Sequence, residues 1–171
     1  MRQTHEAPRQ KARVGQVRYD VDLVGELERL AGEDEAAAAL LAGAGQHRHA
    51  IYFYLQAVEK TVRARIFGIV DPANRHFRDY NRHHSLETSF DFFAQIVSPD
   101  PLKRAAFRER LDRIIPHPTQ HESLHNSLRY PWFSEKYENY NVADFSASDS
   151  ALLRAQFDEL KQFLSEMERH R

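Results

Sequence analysis

The stretch from Gln46 to Gly68, QHRHAIYFYLQAVEKTVRARIFG, constrains the fold more than any other. It is the longest run whose apolar residues recur at helical spacing without a Pro or an internal Gly. Ile51, Leu55, Val58, Val62 and Ile66 form one stripe at steps of three and four. Ala50, Tyr54, Ala57 and Thr61 form a second beside it. A surface helix needs a single apolar face roughly 100° wide, so two adjacent stripes predict a central helix with several others packed around it. Lys60, Arg63 and Arg65 are left for the outside. Glu59 sits four residues before Arg63, an orientation suited to an exposed pair of about 0.3 kcal/mol.

The chain of 171 residues is long enough to bury a real core as one domain, residues 19–171, after a basic aperiodic arm over residues 1–18. Lys plus Arg number 24 and Asp plus Glu 25, so overall charge points to no class of partner and any such signal must be local. The absence of cysteine excludes a disulfide scaffold, a thiol nucleophile and cysteine-ligated zinc. No apolar run approaches the ~20 residues of a membrane span, and the N-terminus lacks the apolar core of a signal peptide. The expectation is a cytoplasmic protein with no membrane association.

Before the central helix, Val24, Leu27, Ala31, Ala38 and Leu41 share a face and EAAAALLA favours helix, with Gly32 as a soft point. AGAG at Ala42 to Gly45 stops that helix, and so short a joint makes the two antiparallel neighbours. After Gly68 a polar connection, IVDPANRHFRDYNRH, is long for a helical bundle. A third helix is expected from His84 or Ser85 to Val97, with Leu86, Phe90, Phe93 and Val97 inward, and a fourth over Leu102 to Ile115, stopped at Pro116. Thr119 to Leu128 reads as a short fifth. The last helix begins near Ser148, after Ser146 and Asp149 at capping-box spacing, with Leu153, Phe157, Leu160, Leu164 and Met167 as its seam. No strand signal competes, and the predicted class is all-α, an antiparallel bundle of about five helices.

The hairpin ERLAGEDEAAAALLAGAGQHRHAIYFYLQAVEKTVRARIFG resembles the first two helices of the HEPN family (higher eukaryotes and prokaryotes nucleotide-binding domain). Its members show an acidic pair and alanines on helix one, a Gly-containing turn, then a QAxEKxxKA-like phrase. Here these are Glu33 and Asp34, Ala36 to Ala39, Gly45, then Gln56, Ala57, Glu59, Lys60 and Ala64, with Arg63 where Lys is common. His84, Ser85 and Leu86 resemble the family's His-x-Leu, and Arg129, Tyr130 and Pro131 its RYP phrase. The resemblance implies a helical bundle that often forms homodimers and has RNA or nucleotide as its usual ligand. Some members are metal-independent ribonucleases of toxin-antitoxin or defence systems, paired in some cases with a small nucleotidyltransferase antitoxin. Others are non-catalytic.

The catalytic phrase of that family resembles Arg, a polar residue, a short spacer, then His. Arg78 and Asp79 with His83 fit it, and His84 fits with one residue more. A His near neutral pKa can take the 2′-hydroxyl proton or protonate the leaving oxygen, while a guanidinium stabilises the charge building on phosphorus. One His cannot do both in a single step, and a symmetric dimer could supply a second. In catalytic members the phrase lies later, near the last helices. The structural alternative has His84 at the start of helix three and Arg78 as a solvated charge. Between the two stands binding without catalysis, because Arg75, Tyr80 and Arg82 interleave cations with aromatics as phosphate contact and base stacking require.

HESLH, His121 to His125, matches H-E-x-x-H, yet zincins need a third ligand and an accompanying sheet, so the expectation is an exposed or packed His pair, with no metal. Arg129 and Tyr130 open a segment, RYPWF, that can form an aromatic and cationic wall for a ligand. The favoured structural expectation is that Trp132 and Phe133 plug the open end of the bundle. Glu59 and Lys60 are expected to orient the bundle by pairing with helix one or a partner subunit. No Gly-rich phosphate loop or Ser-His-Asp order is present, and no cofactor is called for. Two functions remain open. One is an RNA- or nucleotide-binding protein with Arg78 and His83 or His84 as ribonuclease residues. The other is a non-catalytic interaction module partnering a small nucleotidyltransferase.

Overall fold

The computed structural model describes residues 18–19, 21–75, 77, 85–116 and 118–169, with side chains omitted for 118–123. Among the described residues there are six helices: α1 (Leu23–Gly43), α2 (His47–Phe67), α3 (Leu86–Val97), α4 (Pro101–Ile114), α5 (Pro118–Arg129) and α6 (Ala147–Arg169). A two-stranded antiparallel hairpin, β1 (Trp132–Ser134) and β2 (Asn139–Asn141), lies between α5 and α6. Of the predicted arm only Arg18 is among the described residues, and it ion-pairs with Glu26.

Helix α2 is the axis of the bundle, touched by α1, α3, α5 and α6, while α4 closes the outside against α3 and α6. The first predicted stripe is inside, with Ile51, Leu55, Val58, Val62 and Ile66 buried; of the second, Ala50, Tyr54 and Ala57 are buried and Thr61 is half-buried. Ala31 and Ala38 on α1 and Ala50, Ala57 and Ala64 on α2 are buried at seven-residue spacing, and their small size permits close approach of the antiparallel pair. Leu86, Phe90 and Phe93 from α3 and Leu153, Phe157, Leu160 and Leu164 from α6 complete the core.

The joint between α1 and α2 is a Schellman turn. Gln46 N–H reaches Leu41 C=O at 2.8 Å and Gly45 N–H reaches Ala42 C=O at 3.0 Å, with Gly45 at φ 74°, a conformation open to glycine. The capping box before α6 forms, with Asp149 Oδ2 accepting from Ser146 N–H at 2.7 Å and from Ser146 Oγ at 2.6 Å. These bonds hold the Asp149 carboxyl below its ordinary pKa.

Four expectations are corrected. Gly32 does not soften α1, which runs unbroken through it, because flanking alanines and leucines carry the ladder past one exposed glycine. A strand pair exists, where none was expected. Its strands are three residues each, too short to show an alternating pattern, and Glu138 at φ 49° closes the turn where Gly or Asn would have signalled one. Trp132 and Phe133 do not plug the bundle: they lie on a hairpin strand and are 42% and 52% exposed. Finally, Glu59 and Arg63 pair at 2.8 Å but are not exposed, with 16% and 12% of their side chains accessible.

Candidate functional site

The connection between α2 and α3 is anchored at both ends. Beyond Gly68 the chain turns at Asp71, whose Oδ1 accepts from Ala73 N–H at 2.8 Å, and Arg75 follows at the surface. Phe77 then pins the connection, its ring 5.6 Å from that of Phe92 on α3. With Arg63, Ile66, Phe67, Thr88 and Ser89 it lines a cavity of about 20 Å³, room for one water and too small for a base. At the far end Ser85 caps α3, its Oγ accepting from Thr88 N–H at 3.2 Å. Arg78, Tyr80, Arg82, His83 and His84 fall between these anchors and lie outside the described residues.

Several helical cations pair with carboxylates of the bundle. Lys60 Nζ meets Asp34 Oδ2 of α1 at 2.5 Å and Gln56 Oε1 at 3.2 Å, the orienting contact expected of it. Arg65 bridges Glu28 of α1, at 3.9 Å, and Glu168 of α6. Lys161 joins Glu35 at 2.5 Å and Asp158 at 3.0 Å. Arg108 sits among Glu87 (2.5 Å), Asp91 (2.8 Å) and Asp112. Burial pulls the pKa of Lys161 and Arg108 down, but hydrogen bonds to these carboxylates outweigh it and the net shift is upward, so both stay charged. In sequence, residues 75–84 carry Arg75, Arg78 and Arg82 with Asp79 as their lone acid.

Arg129 and Tyr130 belong to a different place. Arg48, in the first turn of α2, donates to Ser127 C=O at 3.3 Å, to Leu128 C=O at 3.2 Å and to Ala143 C=O, and lies 5.4 Å over the Phe145 ring. The end of α5 and the base of the hairpin are therefore tied to the N-terminal end of α2, whereas Phe77 and Arg75 lie at its C-terminal end. A helix of this length, 21 residues, is about 31 Å long. The structure thus separates Arg75 from Arg129 and Tyr130, while Tyr80 and Arg82 lie outside the described residues. Arg129 and Tyr130 are exposed, with the guanidinium 5.1 Å over its neighbour's ring and bonded to its hydroxyl at 3.2 Å.

Of the HESLH pair, His125 packs inward, its ring 5.0 Å from that of Tyr52 and its Nε2 2.9 Å from Gln56 Nε2. The side chains of His121 and Glu122 lie outside the described residues. Among the described residues no group of three or more His, Asp or Glu could hold a metal ion.

Two features escaped the sequence. One is Arg48, whose partners are 79 to 95 residues distant. The other is a groove of about 250 Å³, floored by Val24, Ala64, Ile69, Leu164 and Met167 and rimmed by Glu28, Arg65 and Glu168. It lies below the 300–1,000 Å³ usual for ligand pockets.

Fold and site together define an all-α bundle in which a connection rich in Arg and His by sequence follows the C-terminal end of α2, and an exposed aromatic hairpin is tied to the other end of that helix. No known protein family, curated protein or solved structure matches the chain. No helix among the described residues is long and apolar enough to cross a membrane.

Proposed function

We propose that this is a HEPN-like protein that binds RNA or a nucleotide at the connection between α2 and α3. The observation that carries the reading is a connection anchored at both ends by Phe77 and Ser85 whose sequence holds Arg75, Arg78 and Arg82 beside a single acid. Guanidinium groups interleaved along the sequence with Phe77 and Tyr80 suit phosphate contact and base stacking. The chemistry open to the same segment is metal-independent cleavage. Neutral His83 or His84 takes the 2′-hydroxyl proton, the other imidazole or that of a second copy protonates the leaving oxygen, and Arg78 stabilises the phosphorane-like transition state. A toxin-antitoxin or defence setting fits such an activity.

The test is incubation of purified protein with mixed-sequence RNA in EDTA, beside a His83→Ala/His84→Ala double variant and an Arg75→Glu variant. Cleavage by wild type that the double variant loses is the expected result, with weaker binding in Arg75→Glu. Wild-type protein that neither binds nor cleaves RNA would sink the reading. The second reading, a non-catalytic module for a small nucleotidyltransferase, is favoured by the exposure of Trp132 and Phe133, aromatic residues of the kind enriched at protein interfaces.

A further inference from the structure

Helices α1 and α2 approach each other through buried alanines, but the fit loosens where α1 begins and α2 and α6 finish. There Val24 and Ala64 are short, and a groove of about 250 Å³ opens beside them. Its interior is apolar. Phe93 and Leu164, 1% and 2% exposed, are the most deeply buried of its lining residues, and half-buried Ile69 and Met167 extend the same surface.

The rim is acidic. Glu28 and Glu168 stand against one guanidinium, Arg65, which they do not share evenly. Arg65 contacts Glu168 directly, whereas Glu28 lies 3.9 Å away, at the limit of pairing, with 52% of its side chain accessible. Glu28 therefore keeps most of its capacity to accept hydrogen bonds. The helix ends add to the sign, because α2 and α6 reach the groove with their C-terminal turns, each carrying about half a negative charge. The opposite end of the α1 dipole is answered by Asp22, whose carboxylate accepts from Val24 and Gly25 N–H at 3.2 Å.

We propose that this groove binds a small amphipathic cation, an ammonium group carried on an apolar body. Glu28 takes the ammonium, and Phe93, Leu164 and Met167 receive the body, with the Arg65 and Glu168 pair left intact beside it. Size and charge select this class. At about 30 Å³ for each non-hydrogen atom the space admits about eight, far fewer than a nucleotide has. Two carboxylates and two helix C-termini repel phosphate, and an apolar interior gives no advantage to an inorganic ion. The arginines of the connection take no part, so a failure of RNA binding would leave this site untouched.

Titration calorimetry of the full chain with 2-phenylethylamine in millimolar excess tests the proposal. Beside it stand 2-phenylethanol and 3-phenylpropionate, which keep the apolar body and change the charge. The amine should bind, the alcohol about fivefold more weakly, and the carboxylate not at all. Glu28→Gln should lower the affinity for the amine to that for the alcohol. Met167→Trp, which fills the groove from the last turn of α6, should abolish binding of both with circular dichroism unchanged. If that variant fails to fold, Val24→Phe blocks the same space from α1. Absence of binding by both 2-phenylethylamine and hexylamine overturns the proposal. So does equal affinity for amine and alcohol, or an affinity for the amine that Glu28→Gln or the blocking substitution leaves unchanged.

Discussion

Replacing Arg48 should loosen the hairpin and destabilise the whole bundle. Its guanidinium supplies donors to Ser127 and Leu128, carbonyls in the last turn of α5 that no later residue of that helix can reach, and to Ala143 in the connection between β2 and α6. A hydrogen bond to a charged donor is worth about 1.5–3 kcal/mol, and a cation at a helix C-terminus adds about 0.3–1 kcal/mol. The bonds at 3.2 and 3.3 Å are long and the side chain is half-buried, so the sum is discounted. Arg48→Ala should cost about 3 kcal/mol, a large share of the ~5–15 kcal/mol that holds a domain together. For a chain of this size that lowers Tm by about 6–12 °C. Arg48→Lys keeps the charge and loses the fork, and should fall about midway. Denaturant unfolding measures the cost, and acrylamide quenching of Trp132 should rise in parallel. A change under about 0.5 kcal/mol, with quenching unaltered, would refute the role given to this residue.

Gly32 is exposed in the interior of α1 and an added Cβ meets nothing within 4 Å, so Gly32→Ala should stabilise by about 0.8–1 kcal/mol in chemical denaturation. Glu138 holds a left-handed conformation that costs a non-glycine residue about 1 kcal/mol, and Glu138→Gly should recover most of it, read as a rise in Tm. The Asp149 carboxyl titrates below its ordinary value of 3.8, chiefly through its bond with the Ser146 side chain. A group whose folded pKa is depressed stabilises above its unfolded pKa and loses that contribution as pH falls through the folded one. Asp149→Asn should therefore flatten the fall in stability below about pH 4 and leave its slope near neutral pH unchanged.

The helices were legible in the sequence because their determinants are local. The double stripe on α2, the Gly45 turn and the Ser146 and Asp149 box each act within a few residues, and all appear where the pattern places them. The hairpin was not legible, because three-residue strands carry no period and Glu138 occupies a position that glycine would have advertised. Contacts across the fold were hidden more deeply. Nothing in the order of residues tells that Arg48 holds carbonyls at 127, 128 and 143, that His125 turns inward to Gln56, or that the RYPWF aromatics face solvent. The sequence by itself determined which residues are helical and which faces are apolar, since periodicity and capping are properties of neighbours along the chain. Only the tertiary structure decided that Arg75 and Arg129 lie at opposite ends of α2 and which cations are neutralised, because those depend on distances between segments that sequence spacing does not encode.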